Sequence, residues 1–150
     1  MITWAPFDLL CPDVASAERY CFDVDRAELG VPLGTHCLRE FYCVDPGCDC
    51  RCVLLHVLQL EATDQPLGAI VHFGWERAKF YRKWTQGDGP WREMSGAHLD
   101  STAPRGPYAG QFLKVLRHLV QDPGLVKALR RHYALALQRT AWGPTPLLLD

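Results

Sequence analysis

The sequence predicts an α+β domain, an antiparallel β-meander of three to five strands followed by a C-terminal helical hairpin. Three observations carry the prediction. Apolar runs of strand length, rich in Val, Leu and aromatic residues, cluster between residues 38 and 84 and are separated by turn residues. Beyond residue 107 the apolar residues recur three or four apart, as one stripe of a helix requires. At 150 residues the chain is one domain in size, and such a domain buries roughly 68–70% of the surface its unfolded form exposes.

Residues 1–38 form an N-terminal extension of the same domain. Tyr20, Phe22 and Val24 alternate with Arg19, Cys21 and Asp23 as in a short strand, and the segment before them can begin a helix after Asp13. Gly30, Pro32 and Gly34 mark a loop. The core spans 39–141. Leu38 to Cys43 reads as a strand entering the turn Asp45-Pro46-Gly47, where Pro pre-sets one dihedral and Gly accepts a positive one. Arg51 to Leu60 is a largely buried strand, broken at Asp64-Gln65-Pro66. Leu67 to Phe73 forms the next, and Ala78 to Trp84 a third member of the meander.

Residues 85–106 read as a long loop rich in Gly, Pro, Ser and Asp, anchored by Trp91 and Leu99. Tyr108, Phe112, Val115, Leu116 and Leu119 define one helix. Asp122-Pro123 supplies an N-cap and a first-turn Pro for the second, whose apolar stripe runs through Leu125, Ala128, Leu129, His132, Tyr133 and Ala136. Gly143 to Pro146 stops it, and 142–150 is expected to fray as a tail.

The 48% apolar and 22% charged fractions are those of an ordinary soluble protein, which sets aside disordered and fibrous classes. A net charge of −1 provides no long-range field for nucleic acid or an anionic membrane, leaving only local patches such as Lys127, Arg130 and Arg131. The N-terminus lacks the basic start and apolar run of a signal peptide, and no run of about 18 apolar residues occurs. The expectation is therefore a cytoplasmic protein with reduced thiols. Seven cysteines, an odd number, exclude a fully paired disulfide framework within one chain.

The chemistry concentrates in Phe41-Tyr42-Cys43-Val44-Asp45-Pro46-Gly47-Cys48-Asp49-Cys50. Zinc needs four donors converging on one point, with Zn–S near 2.3 Å, and chain-adjacent cysteines achieve this only if the backbone folds back. Pro46-Gly47 supplies that fold, so Cys43, Cys48 and Cys50 are the expected zinc ligands. Isolated cysteines behave as small buried hydrophobes, a reading that suits Cys11 and Cys21. It suits the cluster poorly, because Asp45, Asp49 and Arg51 flank it.

The fourth donor is less determined. On an extended strand Cys52 shares a face with Leu54, His56 and Leu58 and stands roughly 13 Å from His56, so it reads as core. His36 and Cys37 reach the site only if their strand is short. His132 is the preferred candidate, because its helical stripe faces the sheet. A lone histidine on an apolar face is more often a core residue satisfied by a hydrogen bond, a reading that also applies to His56, His72 and His118, with His98 an exposed loop residue.

The stretch Glu40 to Arg51 resembles a signature of poorly characterised bacterial proteins, Tyr-Cys-x-x-Pro-x-Cys-x-Cys followed by an apolar strand, many of which end in a zinc-binding SEC-C motif. Leu99-Asp100 and His132-Tyr133 match that family in order and approximate spacing, so the resemblance covers about residues 39–140. It implies a metal site and strengthens His132 as fourth ligand. The SEC-C motif is absent from this sequence, and Pro104-Arg105-Gly106-Pro107 stands where relatives tend to have Gln-Ser. The resemblance implies no reaction.

Three functions follow. A closed site of three thiolates and one imidazole would be a structural clasp in a non-enzymatic module that binds a protein, or a nucleic acid through Arg51, Lys127, Arg130 and Arg131. Close thiolates around zinc could instead form a redox or stress sensor. A zinc-dependent hydrolase would need an open coordination position with Asp45 or Asp49 as base, while H-E-x-x-H, Walker A, G-x-S-x-G and deaminase signatures do not occur. Trp75, Trp84 and Trp91 with Tyr81 and Arg82 could stack bases, although aromatics in a meander are more often core.

Overall fold

The computed structural model describes residues 3–60 and 66–141. The expected break at Asp64-Gln65 and the tail from Gly143 lie outside the described residues. The elements run β1 (Trp4–Pro6), α1 (Phe7–Leu10), α2 (Pro12–Glu18), β2 (Cys21–Val24), a 3-10 turn (Ala27–Leu29), β3 (Gly34–Cys43), β4 (Cys52–Gln59), β5 (Pro66–Gly74), α3 (Ala78–Trp84), α4 (Trp91–Met94), β6 (Gly96–Leu99), α5 (Ala109–Leu119) and α6 (Pro123–Ala141).

The sheet is antiparallel with strand order β1-β3-β4-β5-β6, and β2 pairs with β3 as well. Its register separates two faces. Glu40, Leu55, Val71 and Leu99 lie side by side on one, Phe41, Leu54, His72 and His98 on the other. The first face is the interior: Val53, Leu55, Val57 and Val71 are fully buried there with Phe112, Leu116 and Leu129 of the helical hairpin. The period-3.6 stripe and the period-2 strands thus meet in one core. The cap expected for the last helix is present, with the Gly124 amide donating to Asp122 Oδ1 at 2.9 Å.

Three local expectations are corrected. Ala78–Trp84 is a helix, not a strand. Its aromatic content suggests β structure, but only Tyr81 is buried, and it reaches the end of β5 because Gly74 has no side chain to obstruct its hydroxyl. The strand that completes the meander is Gly96–Leu99, inside the stretch read as loop. It is held by pairing with β5 rather than by an apolar pattern of its own, and it carries His98, half-buried there and within 2.9 Å of the Ser95 carbonyl. Finally, Cys21 and Cys37 face each other across β2 and β3 and are joined in a disulfide. Cys21 is therefore not an isolated hydrophobe, and Cys37 is not available to a metal.

Candidate metal centre

Cys43 closes β3 and Cys52 opens β4, so the cluster occupies the connection between two central strands. The connection folds back as its sequence requires. The Cys48 amide donates to the Asp45 carbonyl at 3.2 Å, and Gly47 takes a φ of +75°, the left-handed value that the third position of a type II turn demands. A second fold lies at Arg51, a non-glycine residue at φ +49°. Such a conformation costs on the order of 1–3 kcal/mol and persists only where its surroundings impose it.

Those surroundings grip Arg51 from every side. Its amide donates to the Tyr133 hydroxyl at 3.3 Å, and its carbonyl accepts from the Tyr81 hydroxyl at 2.7 Å. Its guanidinium pairs with Asp49 at 2.9 and 3.0 Å and with Glu76 at 3.2 Å, and lies over the Phe80 ring. The guanidinium expected to contact nucleic acid is thus engaged by its own neighbours.

The result is convergence. The Sγ atoms of Cys43, Cys48 and Cys50 all lie within 4.8 Å of one another, close to the S···S edge of about 3.8 Å that a tetrahedron with 2.3 Å Zn–S bonds requires. These three residues could hold a metal. Cys43 and Cys50 are buried, and Cys48 is partly exposed. Burial, followed by the contact with Cys48, pushes the Cys43 thiol up to about 12. The Cys50 thiol is raised first by its hydrogen bond with the Cys52 thiol and then by burial. Among themselves the groups are neutral thiols, and a dication would supply the charge that makes them thiolates.

His132 is not brought to this cluster. Its ring lies between two carboxylates, with Nδ1 2.7 Å from Glu40 Oε1 and Nε2 3.0 Å from Glu18 Oε1, and stacks on Phe7. Burial alone would lower its pKa, but the hydrogen bonds and charges of Glu40, then Glu18, raise it above the ordinary value. Both ring nitrogens are thus engaged by carboxylates, which leaves neither facing the cysteines as a donor to a metal. His36 is also excluded: it sits seven residues before Cys43 on β3, about 23 Å along an extended strand, and packs between Phe22 and Phe112.

The structure also shows what takes the place expected for His132. Tyr133, one residue on, reaches the cluster through Arg51 and joins it to α6. The Glu18–His132–Glu40–Tyr42 array escaped sequence reasoning. Tyr42 donates to Glu40 Oε1 at 2.6 Å, and Arg131, one of the expected nucleic-acid contacts, pairs with Glu18. A signal was present: Glu40 sits at strand spacing between Leu38 and Tyr42 on the buried face, and a buried carboxylate there needs partners.

Asp45 accepts from the Thr3 amide, and both oxygens of Asp49 bind Arg51, so each serves the loop. Lys127 and Arg130 are exposed on α6. Of the aromatic residues considered for base stacking, Tyr81 is fully buried and Trp75 packs edge-on against Tyr133, while Trp91 lies beneath Arg82 and Arg92. No helix among the described residues is long and apolar enough to cross a membrane. Neither a protein-family profile, nor a curated protein, nor a solved structure matches the chain.

Proposed function

We propose that the protein is a non-enzymatic zinc-binding module in which Cys43, Cys48 and Cys50 hold one structural Zn2+ and Cys52 supplies the fourth thiolate. The convergence of three sulfurs between β3 and β4 carries this reading. An all-sulfur set favours zinc over magnesium or calcium, which select oxygen donors. Cys52 is supported by its burial and its thiol contact with Cys50, whereas His132 and Cys37 are engaged elsewhere. A site with four thiolates is closed, and Asp45 and Asp49, the nearby candidates for a general base, are bound by Thr3 and Arg51. The metal therefore staples the loop that Tyr81 and Tyr133 grip, and the module presents its surface to a protein partner.

A redox role for the same site is supported by the partial exposure of Cys48 beside Cys43. Two zinc-bound thiolates would pass two electrons to peroxide, which with two protons from solvent yields a disulfide and two waters, and the ion would be released.

Elemental analysis with native mass spectrometry tests the proposal. One zinc per chain is expected, lost in Cys43→Ser, Cys48→Ser and Cys50→Ser, weakened in Cys52→Ser and retained in His132→Ala. A metal-free, fully folded protein that takes up no added zinc would overturn it.

A further inference from the structure

A second site is suggested away from the cysteines. A cleft of about 710 Å³ opens where α1 and α2 bridge the edge of β3, between the Phe41–Cys43 stretch that pairs with β1 and the Gly34–Cys37 stretch that pairs with β2. That volume is in the range of small-molecule sites, roughly 300–1,000 Å³. Its walls mix apolar side chains, Phe7, Leu38, Phe41 and Leu58 among them, with the polar or charged Asp8, Ser16, Arg19, Arg39, Glu40 and His56.

Glu40 is the polar group that distinguishes the cleft. Its side chain is only 7% exposed, and it lines the cavity. One carboxylate oxygen, Oε1, accepts both the Tyr42 hydroxyl and His132 Nδ1. Its second oxygen, Oε2, has no hydrogen-bond partner among the described residues, and it is not among the buried atoms left without one. A buried carboxylate with one oxygen fixed and the other open to a cavity is an oriented acceptor.

The remaining charges set the character of the occupant. Asp8 and Arg39 line the cleft but pair with each other, and Glu40 is balanced by His132. Arg19, also in the wall, has no ion-pair partner among the described residues. His56 is stacked on Phe41, and burial followed by the charge of Arg39 lowers its pKa, so it adds no cation near neutral pH. The cleft thus presents one free cation and one oriented acceptor, with Phe7 and Leu38 as the apolar wall on Glu40's side of the sheet.

We propose that this cleft binds a small amphipathic acid, whose hydroxyl or N–H group donates to Glu40 Oε2, whose apolar ring packs on Phe7 and Leu38, on Glu40's side of the sheet, and whose anionic group pairs with Arg19. The site is independent of the metal centre.

The probe is 4-hydroxyphenylacetate, compared with phenylacetate, which lacks only the phenolic donor. Saturation-transfer NMR and amide shift mapping on the full chain are expected to place 4-hydroxyphenylacetate against Phe7 and Leu38. Phenylacetate should bind at least about tenfold more weakly, the loss that follows from leaving a hydrogen bond to a charged acceptor unmade. Arg19→Gln should weaken both ligands. Ser16→Trp, an exposed α2 position in the cleft wall, should block both while leaving Glu40 and its partners in place. Absence of binding by either probe at millimolar concentration, equal affinity for the two, or unchanged binding in Ser16→Trp would each overturn the proposal.

Discussion

The amide of Arg51 donates to the Tyr133 hydroxyl at 3.3 Å, across 82 residues of sequence, and this bond joins the cysteine loop to α6. Tyr81 holds the carbonyl of the same residue at 2.7 Å. Two tyrosines from two helices thereby fix the left-handed backbone that brings Cys50 and Cys52 to adjacent positions.

Removing either hydroxyl should loosen that grip without opening a cavity. Tyr133→Phe and Tyr81→Phe are each expected to cost about 1 kcal/mol, the net value of one buried hydrogen bond, and to lower the midpoint by roughly 2–4 °C in a domain of this size. Calorimetry of the zinc-loaded protein checks this. A distinguishing result is a fall in zinc affinity for both variants, since the same bonds position the ligands; unchanged affinity would detach Arg51 from the metal centre.

The Glu18–His132–Glu40 array should leave a signature in the pH dependence of stability. His132 is raised, so its contribution is fully present below the ordinary histidine value and is lost as pH rises through the higher folded value. Glu18 is lowered from 4.5 to about 2, first by the hydrogen bond from Arg131 and then by that from His132. Its contribution is present above about 4.5 and is lost as pH falls towards 2. The difference in urea stability between the wild type and His132→Gln should therefore be greatest between these limits. Removing one partner of a buried charge pair costs about 3 kcal/mol, and a difference independent of pH would show that the ring is neutral.

What the sequence made legible follows its periodicity. The strand Arg51 to Leu60 and the two helices beyond residue 107 were readable because each buries one continuous stripe, and β4, α5 and α6 occupy those positions. The Asp45-Pro46-Gly47 turn was readable because its chemistry is local, and the Gly47 dihedral agrees. β6 was not readable: four residues with one Gly and one Ala carry too little pattern, and β5 decides their conformation. Likewise His132 faced inward as its stripe required, but its partner was set by which residue of β3 lay beneath it. That residue was Glu40 and not a cysteine.

The disulfide between Cys21 and Cys37 spans 16 residues and ties β2 to the edge of β3. Closing a loop of that length in the unfolded chain is worth about 3 kcal/mol in the chain-entropy account. Cys21→Ser with Cys37→Val should lower stability by about 2–3 kcal/mol while leaving zinc content unchanged. Alkylation of the denatured, unreduced protein after metal removal should label the five cysteines outside this pair, namely Cys11, Cys43, Cys48, Cys50 and Cys52. Labelling of Cys21 and Cys37 as well would show that the bond does not form.

Gly47 offers a test of the metal centre that touches none of its ligands. Its φ of +75° suits glycine, and a Cβ placed there meets no atom within 4 Å, so Gly47→Ala introduces a backbone penalty without a clash. That penalty is about 1–2 kcal/mol for an L-residue in the left-handed region. If the turn is imposed by the protein alone, the whole penalty appears in folding stability of both metal-free and zinc-loaded forms. If zinc binding is what closes the turn, the metal-free protein relaxes the turn and escapes the cost, and the penalty appears as zinc affinity weakened about tenfold. The second outcome is expected, because the hydrogen bond from Cys48 to Asp45 is long at 3.2 Å and the loop draws its remaining order from Arg51 on the far side of the cysteines. Competitive zinc titration against a chelator, alongside urea denaturation of the metal-free form, separates the two.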